Sequence, residues 1–261
     1  MSSRRGAVLI VLSASVLAGC ATPRRPDPLE PVNRKVFAFN EAVDDAVLRP
    51  VARVYRNTLP APVRAGVGNF FSNIRDLWSA VNLTLQGRPV DGVRDVARFG
   101  ANTVFGVFGF FDVATGLGLE RHGEDFGQTL GRWGFGPGAY IVWPILGPSS
   151  VRDSVGLPIE LQVAPQTWIS TDSLRYSLTA TSVINTRAEL LGATGLLDDI
   201  ALDKYVSVRN AYLQRRRNLV YDGDPPIEEE PVYDDSTDPA AAPADGVEAA
   251  PPPASAGASG G

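Results

Sequence analysis

The chain has 261 residues, enough for one substantial hydrophobic core without disulfide or metal support. Its formal charge of -5 averages two unlike stretches: residues 222–261 hold ten acids and no base, whereas residues 1–221 hold 24 bases and 19 acids. A single cysteine, Cys20, excludes an intrachain disulfide, and a single histidine, His122, leaves carboxylates as almost the only metal ligands, so Cys/His zinc chemistry and thiol redox pairs are nearly excluded.

Residues 1–19 carry Arg4 and Arg5, an apolar stretch over residues 7–18 broken only by Ser13 and Ser15, and Gly19. The stretch is too short to cross a bilayer as a helix, and the basic residues ahead of it mark an export signal. Leu17-Ala18-Gly19-Cys20 resembles the lipobox of bacterial lipoproteins, where cleavage leaves a lipidated cysteine as the first mature residue; residues 20–26 then form a lipidated linker. A plain secretory signal with a free cysteine is the alternative. Acyl chains on Cys20 would hold the protein at a membrane, each buried CH₂ contributing about 0.8 kcal/mol. Ala21 stands where an Asp is associated, in lipoproteins generally, with inner-membrane retention, so the resemblance implies an outer-membrane address.

Asp27-Pro28-Leu29-Glu30 reads as an acidic N-cap, a first-turn proline and an acid three residues on. The helix it opens carries Val32, Val36, Phe39, Val43 and Val47 on one face, and Pro50 marks its limit. A second helix is predicted over residues 61–86. Val63, Val67, Phe70, Phe71, Ile74, Leu77, Trp78, Val81 and Leu85 form its apolar stripe, and Arg64, Asn73, Arg75 and Asp76 its polar side. After Gly87, Val90, Val93, Ala97, Gly100 and Val104 suggest a third helix with Arg88, Arg94, Asp95 and Arg98 on other faces.

Residues 100–156 hold 13 of the 26 glycines, interleaved with aromatics, and keep no clean period. The apolar run over residues 104–111 is bracketed by Asn102 and Asp112 and is too short to span a membrane. Its phenylalanines, with Phe126 and Trp133, are either the core of a compact domain or an interfacial, lipid-facing surface. Ser150 and Asp153 repeat the capping pattern, so a short helix starts there and Pro158 stops it. A further helix covers residues 171–191 with Leu174, Leu178, Ile184 and Leu191 inward. The last covers residues 201–220, shows Leu202, Tyr205, Val208 and Tyr212 on one face, and ends in Arg215-Arg216-Arg217. That basic end is either simply solvated or a site for anionic headgroups or an acidic partner. The body, residues 27–221, therefore reads as mostly helical, with no regular sheet expected, and residues 222–261 as a disordered acidic Pro/Ala-rich tail.

Catalytic patterns are weak. Gly-x-Ser-x-Gly is absent, His122 has acids but no nucleophile beside it, and Gly116-x-Gly118 lacks the third glycine of a dinucleotide fingerprint. The mildly basic, exported body does not fit a nucleic-acid binder, and there is no Gly-x-x-x-x-Gly-Lys phosphate loop. No cofactor or metal is expected. What remains fits holding or moving something amphiphilic, which needs an apolar surface for acyl chains and a polar route for headgroups.

Several blocks, in order, sharpen this: Asp27-Pro28-Leu29-Glu30-Pro31-Val32-Asn33-Arg34, Phe37-Ala38-Phe39-Asn40, Asn69-Phe70-Phe71-Ser72-Asn73, Arg98-Phe99 with Asn102-Thr103, Glu124-Asp125-Phe126-Gly127-Gln128-Thr129-Leu130-Gly131, and Leu146-Gly147-Pro148-Ser149-Ser150-Val151-Arg152-Asp153. Together they resemble the MlaA (VacJ) family of phospholipid-binding lipoproteins, over residues 27–221. One departure is Thr84, where the family block Asn-x-Leu-Leu-Gln-Gly has an apolar residue. The resemblance implies an all-α, ring-like body lying in the outer membrane around a central amphipathic channel, without enzyme activity. It implies removal of mislocalised phospholipids from the outer leaflet, association with a trimeric porin, and delivery to a periplasmic carrier that serves an ATP-driven inner-membrane complex. On the matched blocks, Asn102, Phe105, Phe108, Phe111, Glu124, Asp125, Phe126 and Trp133 are candidates to line or shape the lipid path. Asn33, Arg34, Arg152 and Asp153 are structural or headgroup-facing candidates. A scaffold lipoprotein that binds an envelope protein is the main alternative, and a phospholipase a distant one.

Overall fold

The computed structural model describes residues 27–163, 167 and 169–226. The leader, Cys20, the linker and nearly all of the acidic tail lie outside the described residues. Helix α1 (Glu30–Val43) passes through a π-helical stretch, Asp44–Leu48, into α2 (Arg49–Thr58). Two expectations are corrected here. Pro50 does not end the helix but sits in the first turn of α2. A proline inside an α-helix loses the bond to, and clashes with, the carbonyl four residues back; the π stretch widens the turn just ahead of it, with Arg49 N–H bonded to Asp44 O. Nor is Asp27 a cap: the N-cap is Leu29, and the Asp27 side chain is buried, accepting from Asn33 Nδ2 at 2.8 Å and from the Tyr205 hydroxyl.

Helix α3 (Ala61–Leu85) and α4 (Pro89–Val104) form an antiparallel hairpin, followed by the single turn α5 (Val113–Gly116) and α6 (Phe126–Arg132). The expectation of no sheet is also corrected. Strands β1 (Tyr140–Trp143) and β2 (Gly147–Ser150) pair antiparallel, Tyr140 opposite Ser150. Helix α7 (Val151–Val163) begins where Ser150 Oγ accepts from Asp153 N at 3.1 Å, but it runs past Pro158, which lies inside it. Helix α8 (Asp172–Ile200) extends well beyond residue 191, and α9 (Lys204–Val220) starts after Leu202, which is fully exposed. Leu174 is exposed rather than inward. Contacts between elements close a circuit: α2 packs on α8, α8 on α3, α3 on α6, α6 on α9, α9 on β2, and β1 on α1. The body is a helical ring rather than a bundle with one central core.

Burial runs opposite to that of a water-soluble domain. Arg98 and Asp95 are fully buried, with Asn73, Asp76, Asn102 and Gln128, while Val93 is 68% exposed and Phe105 73%. The apolar stripes expected on α1, α3 and α4 exist, but much of each faces outward: Val32, Phe39 and Val47, then Val63, Leu77, Val81 and Leu85, then Val90, Val93 and Val104 are exposed. The polar side of α3, with Asn73 and Asp76, points inward. Periodicity separates two faces of a helix without saying which is interior. Apolar clusters are small: Ala52, Ala188 and Leu191, and a second around Tyr140, Val142 and Tyr205. In hydrocarbon, apolar side chains are solvated by lipid tails, whereas polar groups must find partners within the protein. They do so here. Arg98 donates to Asp112 Oδ1 at 2.9 Å, to Asp76 Oδ2 at 3.4 Å and to Leu119 O. Asn102 accepts from Ala114 N at 2.8 Å and donates to Asp112 at 3.1 Å. Burial by itself would raise the Asp112 carboxyl, but hydrogen bonds from Thr115 and Asn102 and the charge of Arg98 hold it down at about 2. Among the described residues no helix is long and apolar enough to cross a membrane.

The loop after α4 shows why glycine recurs. Val107, Phe108 and Gly109 take φ of 52°, 56° and 86° in succession, a left-handed run that is costly for the first two. A Cβ on Gly106 would collide with Phe111 O and Asn102 O, so only glycine lets the chain fold back there. Gly106→Ala is expected to lower stability by about 1–3 kcal/mol, read as a lower thermal midpoint in detergent micelles. An unchanged midpoint would show that the turn opens at little cost.

Candidate functional site: a charged cavity inside the ring

Two adjoining cavities of about 300 and 450 Å³ lie inside the circuit. They share Phe71, Ser72, Arg75 and Ser182, and so adjoin each other between α3 and α8, the larger reaching residues 121–125 and α7. The wall on α3 is read at helical spacing: Ala65, Gly68, Ser72 and Arg75 stack on one face, three or four residues apart. Small residues open the space. A Cβ on Gly68 would sit 2.9 Å from Glu189 Oε1, so a larger residue there would push that side chain aside.

The larger cavity is amphipathic. Phe71, Trp78 and Val163 give it apolar walls, while Arg75, Arg121, Asp76, Glu124, Asp125 and Glu160 bring charge. Arg121 is tied to Asp76 at 3.1 Å. Arg75 makes one hydrogen bond, to Ser72 Oγ at 2.8 Å, and no ion pair among the described residues. Desolvation first, and the nearby Arg121 charge second, push the Arg75 guanidinium below the usual arginine range. Arg75 is nevertheless exposed at the mouth of the cavity. The acids are pushed the other way. Burial raises Asp76 against the pull of Arg121 and Arg98, and raises Glu124 although Gln86 Nε2 donates to it at 3.0 Å.

Glu160 goes up to about 6, because of burial first and then the negative charge of Asp125. It also faces Asp153 and Arg216 and accepts from Phe126 N at 3.2 Å. Since the folded state holds this proton above the pH at which an unfolded glutamate near 4.3 releases it, stability falls as pH rises through about 4.5 to 7. Glu160→Gln is expected to remove that slope and to stabilise the protein by about 1–2 kcal/mol at pH 7.5, with little effect at pH 4. Denaturant midpoints across this range measure it; an unchanged slope would place the carboxylate in water.

Of the sequence-selected path candidates, Glu124 and Asp125 line this cavity. Asp125 also caps α6, accepting from Gln128 N at 2.8 Å, and pairs with Arg216. The remaining candidates lie elsewhere. Asn102 is buried in the Arg98 network; Phe105, Phe108 and Phe111 are exposed; Phe126 packs edge-on to Trp133 at 6.1 Å, and Trp133 Nε1 donates to Leu85 O at 3.0 Å. Asn33 joins α1 to β1, donating to Tyr140 O at 2.9 Å and accepting from Val142 N at 3.0 Å. Arg34 pairs with Glu30 and Asp203 and lies over the Tyr205 ring. Arg152 is buried and pairs with Asp153 at 3.0 Å. Arg216 is corrected from a basic helix end to an inward hub, bonded to Asp125 and to Asp153 at 2.9 Å. Its position four residues after the inward Tyr212 was the available signal. Arg121 and Glu160 carry no local sequence signal, since nothing near them in the chain reveals the cavity. His122 contacts Asp95 at 2.8 Å, and Ser79 donates to Asp95 rather than to His122, so these three do not form a nucleophile–base pair. Among the described residues no group of His, Cys, Asp or Glu is placed to hold a metal.

Exposed apolar side chains, a largely hydrogen-bonded polar interior and an amphipathic cavity fit a helical ring that sits in a membrane. The chain belongs to the MlaA lipoprotein family, whose profile matches residues 25–219. It is 35% identical over 243 residues to the intermembrane phospholipid transport system lipoprotein MlaA of Escherichia coli K12, covering 88% of this chain and 96% of that protein. The Haemophilus influenzae protein of the same description is 32% identical over 228 residues, covering 82% and 89%. An uncharacterized protein of Rickettsia bellii is 38% identical over 196 residues, covering 74% and 76%. A solved structure reported as "Structural basis for maintenance of bacterial outer membrane lipid asymmetry" matches at 38% identity and a TM-score of 0.66, covering 75% of this chain and all of that one. The mostly helical ring and the outer-membrane lipoprotein placement agree with this membership.

Proposed function

We propose that this protein is a non-enzymatic phospholipid transport component of the outer membrane that removes mislocalised phospholipids from the outer leaflet and so maintains lipid asymmetry. The observation that carries this reading is an amphipathic cavity in a helical body that buries charge and exposes many large apolar side chains. The family and its relatives support it, two of those relatives being described as parts of an intermembrane phospholipid transport system. The cavity contains charges that suit headgroups and rings that suit chains, and no acid, base or nucleophile aligned for hydrolysis. A passive ring cannot set direction. Energy therefore enters through partners: a periplasmic lipid carrier linked to an inner-membrane ABC transporter, with a trimeric porin as the outer-membrane neighbour. Acylation at Cys20 adds the anchor.

The test is deletion of the gene, followed by labelling of surface phosphatidylethanolamine with a membrane-impermeant amine reagent. Surface label is expected to rise and to return to baseline on complementation. Unchanged label, with a porin complex that forms independently of lipid, would favour a scaffold role instead.

A further inference from the structure

The wall of the larger cavity carries one cation and one anion, Arg75 and Glu160, that form no ion pair among the described residues. Arg75 has only the Ser72 hydroxyl, and Glu160 only the Phe126 amide; neither forms an ion pair among the described residues. Elsewhere the body pairs its charges thoroughly, as Arg98, Arg187 and Arg216 show. Two opposite charges in a partly dry space each carry a desolvation cost, and a ligand bearing the complementary charges in a matching order would relieve both. On the cationic wall, Arg121 stands close enough to Arg75 for mutual repulsion to be felt. Two guanidiniums that repel each other are a suitable seat for a phosphate, whose oxygens accept from several N–H donors at once. On the opposite chemistry, Glu160, Glu124 and Asp125 line the same cavity, and like-charge repulsion from Asp125 bears on Glu160. An ammonium group placed there relieves that repulsion. At about 450 Å³ the space matches a small-molecule site, which makes it headgroup-sized, with Phe71 and Trp78 left for the glycerol and the start of the chains.

Resting on the transport reading above, we infer that this cavity selects zwitterionic phospholipids, seating the phosphate at Arg75 and Arg121 and the headgroup ammonium at Glu160 and Glu124. A glycerol headgroup has the phosphate and no ammonium, so it satisfies one wall alone.

Isothermal titration of the full-length mature protein in detergent micelles with dihexanoyl phosphatidylethanolamine, dihexanoyl phosphatidylglycerol and inorganic phosphate tests this. The ethanolamine lipid is expected to bind about tenfold more tightly than the glycerol lipid, the difference a charge-assisted contact makes. Arg75→Gln is expected to weaken both lipids by a similar factor, with Arg75→Lys recovering most of the loss. Glu160→Gln is expected to weaken the ethanolamine lipid alone and to erase the preference. Circular dichroism and thermal midpoints confirm folding, and Gln at either position preserves side-chain shape. Equal binding of both lipids to the unmodified protein, or a preference that survives Glu160→Gln, would overturn the inference while leaving transport intact. Inorganic phosphate binding as tightly as either lipid would assign the site to free phosphate and overturn it too. A folded protein that binds neither lipid would instead remove the transport reading itself.

Discussion

Arg98→Ala is expected to cost about 3–5 kcal/mol of stability, because it leaves the buried Asp76 with Arg121 as its one remaining cation and deprives Asp112 of its closest charge. The same substitution frees Leu119 O and Thr115 Oγ1, which Arg98 also bonds, and so loosens the segment that leads from α5 to the cavity. For a body of this size each kcal/mol moves the midpoint by about 2–4 °C, so a fall on the order of 10 °C is expected by thermal unfolding in micelles. Combining Arg98→Gln with Asp76→Asn removes both charges of the inner pair and is expected to restore part of the loss, since an unmet buried charge is costlier than an unmet neutral group. A midpoint within a degree or two of the parent for Arg98→Ala would show that water reaches the network.

The outer surface makes the second strong prediction. Val93→Lys and Phe108→Lys place charge at positions 68% and 69% exposed. On a water-facing surface such changes stay within about 0.5 kcal/mol. Facing hydrocarbon, each lysine costs up to about 2.5–3.5 kcal/mol, less where it snorkels to the headgroups. The pair is therefore expected to shift a form without the acylated cysteine from the membrane pellet to the supernatant after an alkaline wash, while Arg215→Ala, on the exposed side of α9, changes nothing. Equal retention of the parent and the lysine pair would mean that the exposed valines and phenylalanines do not contact lipid.

Helix positions were legible along most of the chain because amphipathic spacing survives whatever the solvent. The stripe from Val63 to Leu85 located α3 to within a residue. Its sense was not legible, since the same period serves a water-facing polar side or a lipid-facing apolar one, and only burial shows Asn73 and Asp76 inward. Prolines misled for a local reason: Pro50 and Pro158 each break an α-helical bond, yet a π stretch absorbs the first and α7 tolerates the second. The hairpin was missed because Gly147-Pro148-Ser149-Ser150 has little strand character of its own; it is held by Asn40, which accepts from Ile145 N at 2.7 Å and donates to Trp143 O at 2.9 Å. For the site, Glu124 and Asp125 came from a recognisable block, whereas Arg75 looked like one more polar-face residue and Glu160 lay beyond Pro158, where the short helix was expected to stop. What brings them together is the circuit of α3, α8, α6 and α7, a long-range property with no local signature.

The central claim is that phospholipid passes through the two adjoining cavities, and Ser182 and Ser72 stand where they adjoin. Filling that junction with Ser72→Phe and Ser182→Trp, and then labelling surface phosphatidylethanolamine in cells that carry the variant as their only copy, is the most direct measurement. The account predicts label as high as in the deletion strain, with protein abundance and membrane retention unchanged. Label at the parental level, with the junction filled and the protein present, would contradict it.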